Sequence, residues 1–560
     1  MSRTIARLGL SLLLGAIPLR GLAQEEADER FATDDVMAPA ADPPAGAQVH
    51  VHRIDPACPA PTRTDKGGKC VLDADVELDS AIDLASFTTL NCKGHVLRPK
   101  LVGVSVPAYA PSVPEVAILV HDAHGVKIQN CVVRDVDFGV VVAEAKWPES
   151  AVNDPAARAL LRTQVLANEL TVRVGGVLVV HADGTQIADN TVTLTTSAGG
   201  GIVLLRDADD NLVNGNTVLG SDSPAVASPL VPGDAQRGTS QVGLATFNPP
   251  QNLYNLRVGG LLLQFPNRRD AHNEDNVFTG NTVTLLAPGT GIDSAVRSIR
   301  PVIDGNRIVG GNLGISGGFP RNADSFYPGT CSDQPTFYCV ADADCDTGAT
   351  CSRTCKLDAG QTCTADVDCP GTGPCIVGSY DTIDGGVYDG IIENNTFQGP
   401  FVSTSANPGR AMQLGNQVNL TVRGNTLDGA GSTPRGIWLR VRALETTTIT
   451  RNIIKGFGVA LVLERGPGAN AATHFGSSIF LNDFKDNTAR VGLLPGYPTS
   501  DPAFLTELSV GGQGNFWDHT CPDGGFLVPV DSPSSAVRDS HPYGQSVALT
   551  PDDLLPPPCF

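Results

Sequence analysis

Residues 280–286 read GNTVTLL, and the chain rewrites that stretch as DNTVTL from 189, GNTVLG from 215, NNTFQG from 394 and GNTLDG from 424. Aligned on the asparagine, the copies place Asn168, Asn190, Asn216, Asn281, Asn306, Asn395, Asn425, Asn452 and Asn482 in one series, several of them 22 to 30 residues apart. Most are followed by a short apolar alternation, a turn bearing glycine, and a second apolar strand such as GGGIVLL (199–205), GIWLRV (436–441) or GVALVL (458–463). The period is two, with no sustained helical period, which predicts short strands. A repeat this short, made only of strands and turns, predicts a solenoid whose coils bury apolar residues against the coils above and below. The competing architecture, a β-propeller, needs longer repeats of about 40 residues with four strands each. A short amide at a tight turn can bond its own backbone, and identical amides stacked about 4.8 Å apart can bond one another. The asparagines therefore read as architecture, with the neighbouring glycines supplying positive φ.

Composition agrees with thin layers and many turns: 61 Gly and 41 Pro stand beside 3 Met and 5% aromatics in 560 residues. Residues 1–23 carry Arg3 and Arg7, the apolar run LGLSLLLGAIPL and then GLA before Gln24. That is the pattern of a secretory signal, too short for a permanent span. Its removal deletes three Arg and no acid, so the formal charge of −20 becomes −23. The expected product is soluble and monomeric, and is secreted, periplasmic or on the cell surface. Nucleic acid and anionic membranes are poor partners for so acidic a surface. Residues 24–47, acidic and rich in Ala and Pro, read as a disordered lead-in.

Fourteen cysteines in an exported chain read as disulfides. Eight form two copies of one spacing, Cys331, Cys339, Cys345, Cys351 and then Cys355, Cys363, Cys369, Cys375, each 24 residues after its counterpart. Residues 331–375 are thus a duplicated, cross-linked insertion, too small to hold itself by apolar burial alone. Asp342 and Asp344, matched by Asp366 and Asp368, are either polar turn residues or calcium ligands. The absence of any Cys-x-x-Cys argues against zinc. Of Cys58, Cys70, Cys92, Cys131, Cys521 and Cys559, the first two and the last two would be natural staples of the ends.

The repeats resemble the right-handed parallel β-helix proteins of the pectate-lyase-like superfamily over about residues 70–545. CVLDADVEL (70–78), LNCKGHVL (90–97) and GVKIQNCVV (125–133) are similar to that family's first coils, and GNFWDHTCPDG (514–524) with DSHPYG (539–544) to its closing segment. The resemblance implies an all-β solenoid over 48–514, with an N-terminal cap to about residue 88 and a C-terminal cap over 515–560. It also implies carbohydrate chemistry on an outer strand face. The catalytic sets of polygalacturonases and alginate epimerases are missing, and the surroundings of Arg297 and Arg300 do not match a lyase arginine.

Two constellations remain. Counting back nine and seven residues from the ladder position gives Asp122 and His124, His181 and Asp183, Asp207 and Asp209, and His272 and Glu274. Such a column could hold calcium or supply an acid and a base, or simply suit a turn. In GIWLRVR (436–442), alternation sends Ile437, Leu439 and Val441 inward and Trp438, Arg440 and Arg442 outward. An outward Trp between Arg residues suits a sugar ring and its anionic substituent. Alternatively, Arg442 pairs with Glu464 and the indole packs under a loop. The expected function is an exported β-helix that recognises polysaccharide, with lyase or hydrolase cleavage as an extension and no required cofactor. The alternative is a non-catalytic scaffold or adhesion protein with the cysteine module as contact head. A maturation protein for a metalloenzyme is more distant, since His is scarce and no Met-rich copper tract occurs.

Overall fold

The structure, a computed structural model, describes residue 58, most of 62–100, 116–223, 273–317 and 387–555, and the strands lying within 241–264 and 329–376. The signal and lead-in, His272, Arg297, Arg442, Cys345, Cys369, Cys521 and Cys559 lie outside the described residues. Residues Ile54–Phe560 form one compact unit.

The strands stack in parallel, each on its counterpart one coil later. Lys127–Gln129 pairs with Gln164–Leu166, and the series runs through Gln186–Ala188, Leu212–Asn214, Val277–Thr279 and Val302–Asp304 to Ile391–Glu393 and beyond. A second stack starts directly after the ladder asparagines, aligning Thr191, Thr217, Thr282, Arg307, Thr396 and Thr426. Register survives every insertion. Asp304 lies opposite Glu393, so the chain between them, cysteine module included, adds no coil to this stack. Among the described residues of the module the strands pair antiparallel with one another, Cys331 opposite Cys351 and Cys355 opposite Cys375. The chain is therefore an all-β, solenoid-like fold, in which Glu149–Val152 and Pro155–Leu161 are the helices among the described residues.

The asparagine series forms one continuous, buried hydrogen-bond ladder. Asn190 Nδ2 donates to Asn216 Oδ1 at 3.0 Å and to the Val165 carbonyl at 2.8 Å, while its backbone N–H donates to the same Asn216 oxygen at 3.0 Å. Its own Oδ1 accepts the equivalent pair from Asn168, both at 2.9 Å. The pattern repeats through Asn281, Asn306, Asn395, Asn425, Asn452 and Asn482 to Asn515. Each amide thus satisfies itself and a neighbouring backbone N–H, which matters because an unmet buried polar group costs about 1–3 kcal/mol. From Asn168 to Asn482 the left-handed residue is the one before each asparagine: φ is 57° at Asp189, 64° at Gly215, 63° at Gly280 and 66° at Gly424. Hence the recurrent Gly-Asn and Asp-Asn pairs. At the N-terminal end, Cys131 donates its N–H to Asn168 Oδ1 at 2.9 Å, and a disulfide joins it to Cys92 one coil earlier. A second disulfide joins Cys58 to Cys70, on which Arg63–Thr64 pairs antiparallel.

Strand alternation divides a third stack into an inner and an outer face. Val140, Val142, Val177, Val179, Ile202 and Leu204 enter the main core, while Val141, Leu178 and Val203 join a second buried cluster on the opposite face. A glycine or alanine opens each strand where the chain turns into this sheet, glycine at 139, 176, 201, 243, 291, 314 and 436 and alanine at 117, 411 and 460. A Cβ on Gly201 would lie 2.4 Å from the Gly243 carbonyl, and one on Gly436 would lie 2.4 Å from that of Ala460. The outward column continues in register from Leu119, Val141, Leu178, Val203 and Ala245 to Asp293, Ser316 and Gln413, and reaches Trp438. One outer face is therefore apolar in its early coils and polar from Asp293 to Gln413, before Trp438 and Val462 continue it.

Candidate functional site

The first constellation lies in a stacked turn at the end of this sheet. Asp122, Glu144, His181 and Asp207 share left-handed backbone, with φ of 47°, 56°, 50° and 58°. The structure brings His181, Asp183, Asp207 and Asp209 together, and adds Lys146, which spacing had not revealed. Its Nζ lies 2.8 Å from Asp183 Oδ1, 2.9 Å from Asp209 Oδ2 and 3.2 Å from Asp207 Oδ2. His181 Nδ1 stands 3.4 Å from Asp207 Oδ2. Backbone N–H groups of Trp147 and Glu274 donate to Asp183 and Asp209 at 3.1 and 2.8 Å. Asp122 and His124 sit on the neighbouring turn, with Asp122 exposed. Glu274 belongs instead to an ion pair with Arg300, which Asp275 shares.

Electrostatics separates the carboxyls. Burial pushes Asp209 up to about 7, opposed by Lys146 and reinforced by the charge on Asp207. Burial also acts to raise Asp207, but His181 and Lys146 outweigh it and leave this carboxyl below its ordinary value. For Lys146, burial works against the charge, yet the three aspartates together hold the ammonium above its usual range. Burial lowers His124, against the pull of Asp122 and Asp183. The cluster carries its own cation, and among the described residues no group of three or more His, Cys, Asp or Glu is disposed to hold a metal ion.

The second constellation lies on the outer face. Ile437 and Leu439 are fully buried in the main core, and Trp438 between them points outward and is half-buried. Of the two arginines predicted beside it, Arg440 is placed by backbone register opposite Gly415 and Glu464, and Arg442 lies outside the described residues. Among the described residues, the cations at the indole are Arg410 and Arg435, opposite one another on adjacent strands, each with its guanidinium carbon 4.6 Å from the ring centroid. Arg410 is only 4% exposed. Burial pushes its guanidinium down to about 9, the charge on Arg435 adds to that, and Glu464 opposes it. Arg435 is lowered by burial too, again against Glu464. Gln413, the register partner of Trp438, is buried on the same face.

No protein-family model matches this chain, and no curated protein does. Among solved structures it is similar to the catalytic domain of a GH87 alpha-1,3-glucanase in complex with tetrasaccharides, at 11% identity and a TM-score of 0.43, over 76% of this chain and 61% of that one. It is also similar to PfbA, a surface adhesin of Streptococcus pneumoniae, at 11% identity and a TM-score of 0.37, over 76% and 85% of the two chains. A third similarity is to the tailspike protein of E. coli bacteriophage HK620 in complex with a pentasaccharide, at 11% identity, a TM-score of 0.34, and 80% and 59% coverage. The chain thus spans about three fifths of the length of the glucanase domain and of the tailspike.

Proposed function

We propose that this is an exported, right-handed parallel β-helix protein that binds polysaccharide on the outer sheet face carrying Trp438. The observation that supports the reading is the half-buried indole with two guanidiniums against it, set by strand alternation on the side away from the core. A half-buried indole with the half-buried Arg435 beside it suits a hydroxylated ring. In this reading the ends of the stack are capped by residues 48 to about 88 and by 515–560. Support comes from Asp483, which accepts the backbone N–H groups of Val547 and Ala548 at 2.8 and 3.1 Å and so ties the closing segment to the coil of Asn482. The protein acts as a monomer and needs no cofactor. Any cleavage belongs to the aspartate turn, where burial pushes Asp209 up to about 7, suited to exchanging a proton near neutral pH.

The test is a panel of neutral and acidic glycans offered to the chain lacking residues 1–23, with retention and new unsaturated or reducing ends both measured. Retention of at least one glycan supports the reading; retention of none defeats it. A scaffold role has one observation in its favour, the separate antiparallel pairing of the cysteine module outside the parallel stack. It would be preferred if the module alone captured a cell surface that the rest of the chain did not.

A further inference from the structure

The outer-face cluster is chemically incomplete in a specific way. Among the described residues no acceptor reaches Arg410 Nε and no donor reaches Gln413 Oε1, although both atoms are buried. Arg410 is 4% and Gln413 7% exposed, so water does not freely satisfy either. Arg410 does donate Nη1 to the Pro408 carbonyl at 3.1 Å, a neutral acceptor. A second guanidinium, Arg435, faces it across the strand pair, with Glu464 as the nearby opposing charge. Two guanidiniums held together, one of them out of water, thus share the single opposing charge of Glu464, and a second anion would balance the pair.

We propose that Arg410, Arg435 and Gln413 form a binding site for a single oxoanion, a carboxylate or sulfate borne by a saccharide, with a neighbouring hydroxyl of the same saccharide donating to Gln413 Oε1. The proposal rests on the polysaccharide reading above and adds the class of ligand and the residues that select it. The guanidinium Nε and its neighbour supply paired donors of the geometry that carboxylate and sulfate oxygens accept. Gln413 supplies the acceptor that tells a hydroxylated ring from a bare anion. Trp438 holds the two guanidiniums in place and is a positioning residue.

The experiment uses the chain lacking residues 1–23 and four probes: inorganic sulfate, dextran sulfate, oligogalacturonate and unmodified dextran. Inorganic sulfate should raise Tm at constant ionic strength where chloride does not. Dextran sulfate or oligogalacturonate should be retained and dextran should not; which of the two binds more tightly identifies sulfate or carboxylate as the natural group. Gln413→Glu places a carboxylate beside Arg410, filling the site from within. This variant should fold with Tm equal to or above the parent's, lose the sulfate shift and bind the anionic glycan about tenfold more weakly. Arg435→Gln, at a half-buried position, should weaken binding by a similar factor. If dextran is retained as well as the anionic glycans and Gln413→Glu changes nothing, the oxoanion site is overturned while polysaccharide binding stands. If sulfate shifts Tm in the parent but not in Gln413→Glu and no glycan is retained, an anion site remains but its saccharide ligand is overturned together with the polysaccharide reading.

Discussion

Asn515 donates its backbone N–H to Asp539 Oδ2 at 2.8 Å, and at that carboxylate the amide ladder ends. Every preceding rung passes a donor toward the C-terminus, so the last residue must accept without donating. An ionised carboxylate does that. The same oxygen takes the Trp517 indole N–H at 2.7 Å, and Oδ1 takes the His541 N–H at 3.0 Å. Asp539→Asn keeps the shape but turns an NH2 group toward one of these donors. Chemical unfolding at pH 7 should show a loss of about 1–3 kcal/mol. Unchanged stability would mean that the ladder has no chemical direction.

Within the ladder, Asn425 accepts from the Asn395 backbone N–H and Nδ2 at 2.9 and 3.0 Å and donates to Asn452 at 2.9 Å. Asn425→Leu orphans the Asn395 N–H and Nδ2 and takes one of two donors from Asn452 Oδ1, for a cost on the order of 3 kcal/mol. Glycan retention by the folded fraction should be that of the parent, because the rung is buried and away from the outer face. Selective loss of retention at unchanged Tm is the result that would contradict an architectural role.

The architecture was legible because its signals are local. A left-handed residue before an amide and a period of two in the following strand can both be read within one coil, as in GNTVTL. Trp438 was placed outward by the same alternation. What needed register was not legible. Counting back from Asn168 lands in Pro155–Leu161, because the two helices lengthen that turn, and so Lys146 escaped notice. Arg410 comes from the adjacent coil, and Arg435 lies beyond the glycine bend, where alternation no longer says which side a residue takes. Asn515 carries the Gly-Asn signal but is followed by Phe516, which hid the final rung.

Lys146 supplies the positive charge that Asp183, Asp207 and Asp209 require. The parent's Tm should therefore be insensitive to millimolar calcium. Lys146→Met keeps most of the aliphatic stem and removes the ammonium, leaving three carboxylates in a partly buried turn. This variant should lose stability at pH 7 and recover part of it with calcium or at pH 5. An equal calcium response in parent and variant would show that the ammonium does not fill the space a metal ion would need.

The raised carboxyl of Asp209 also sets a pH dependence. Its folded value of about 7 exceeds the ordinary 3.8, so the folded state holds a proton that the unfolded state has released between those values. The stability this provides is full below about pH 4 and is lost as pH rises through about 7. Asp209→Asn removes that slope. The stability difference, variant minus parent, should become more favourable to the variant from pH 5 to pH 8, whatever its offset from the lost Lys146 contact. A difference that stays flat over this range, measured by urea unfolding at fixed ionic strength, would remove Asp209 as the titrating group.

Trp438 separates two ways in which an aromatic ring can assist binding. If a sugar stacks on the indole, Trp438→Ala weakens retention of an anionic glycan and leaves its salt dependence alone, since stacking is mostly not ionic. With Arg410 and Arg435 both 4.6 Å from the ring centroid, the indole is already engaged by the cations. Cation–π contacts of this kind contribute about 0.5–2 kcal/mol, enough to hold two mutually repelling guanidiniums in one geometry. Removing the ring should let them separate into solvent, where an anion is screened over about 8 Å at physiological ionic strength. Trp438→Ala should then weaken retention and also flatten its dependence on sodium chloride, while Trp438→Phe restores much of both. A weakened variant with the parent's salt slope would instead make the indole a sugar platform and leave the arginines to act without it.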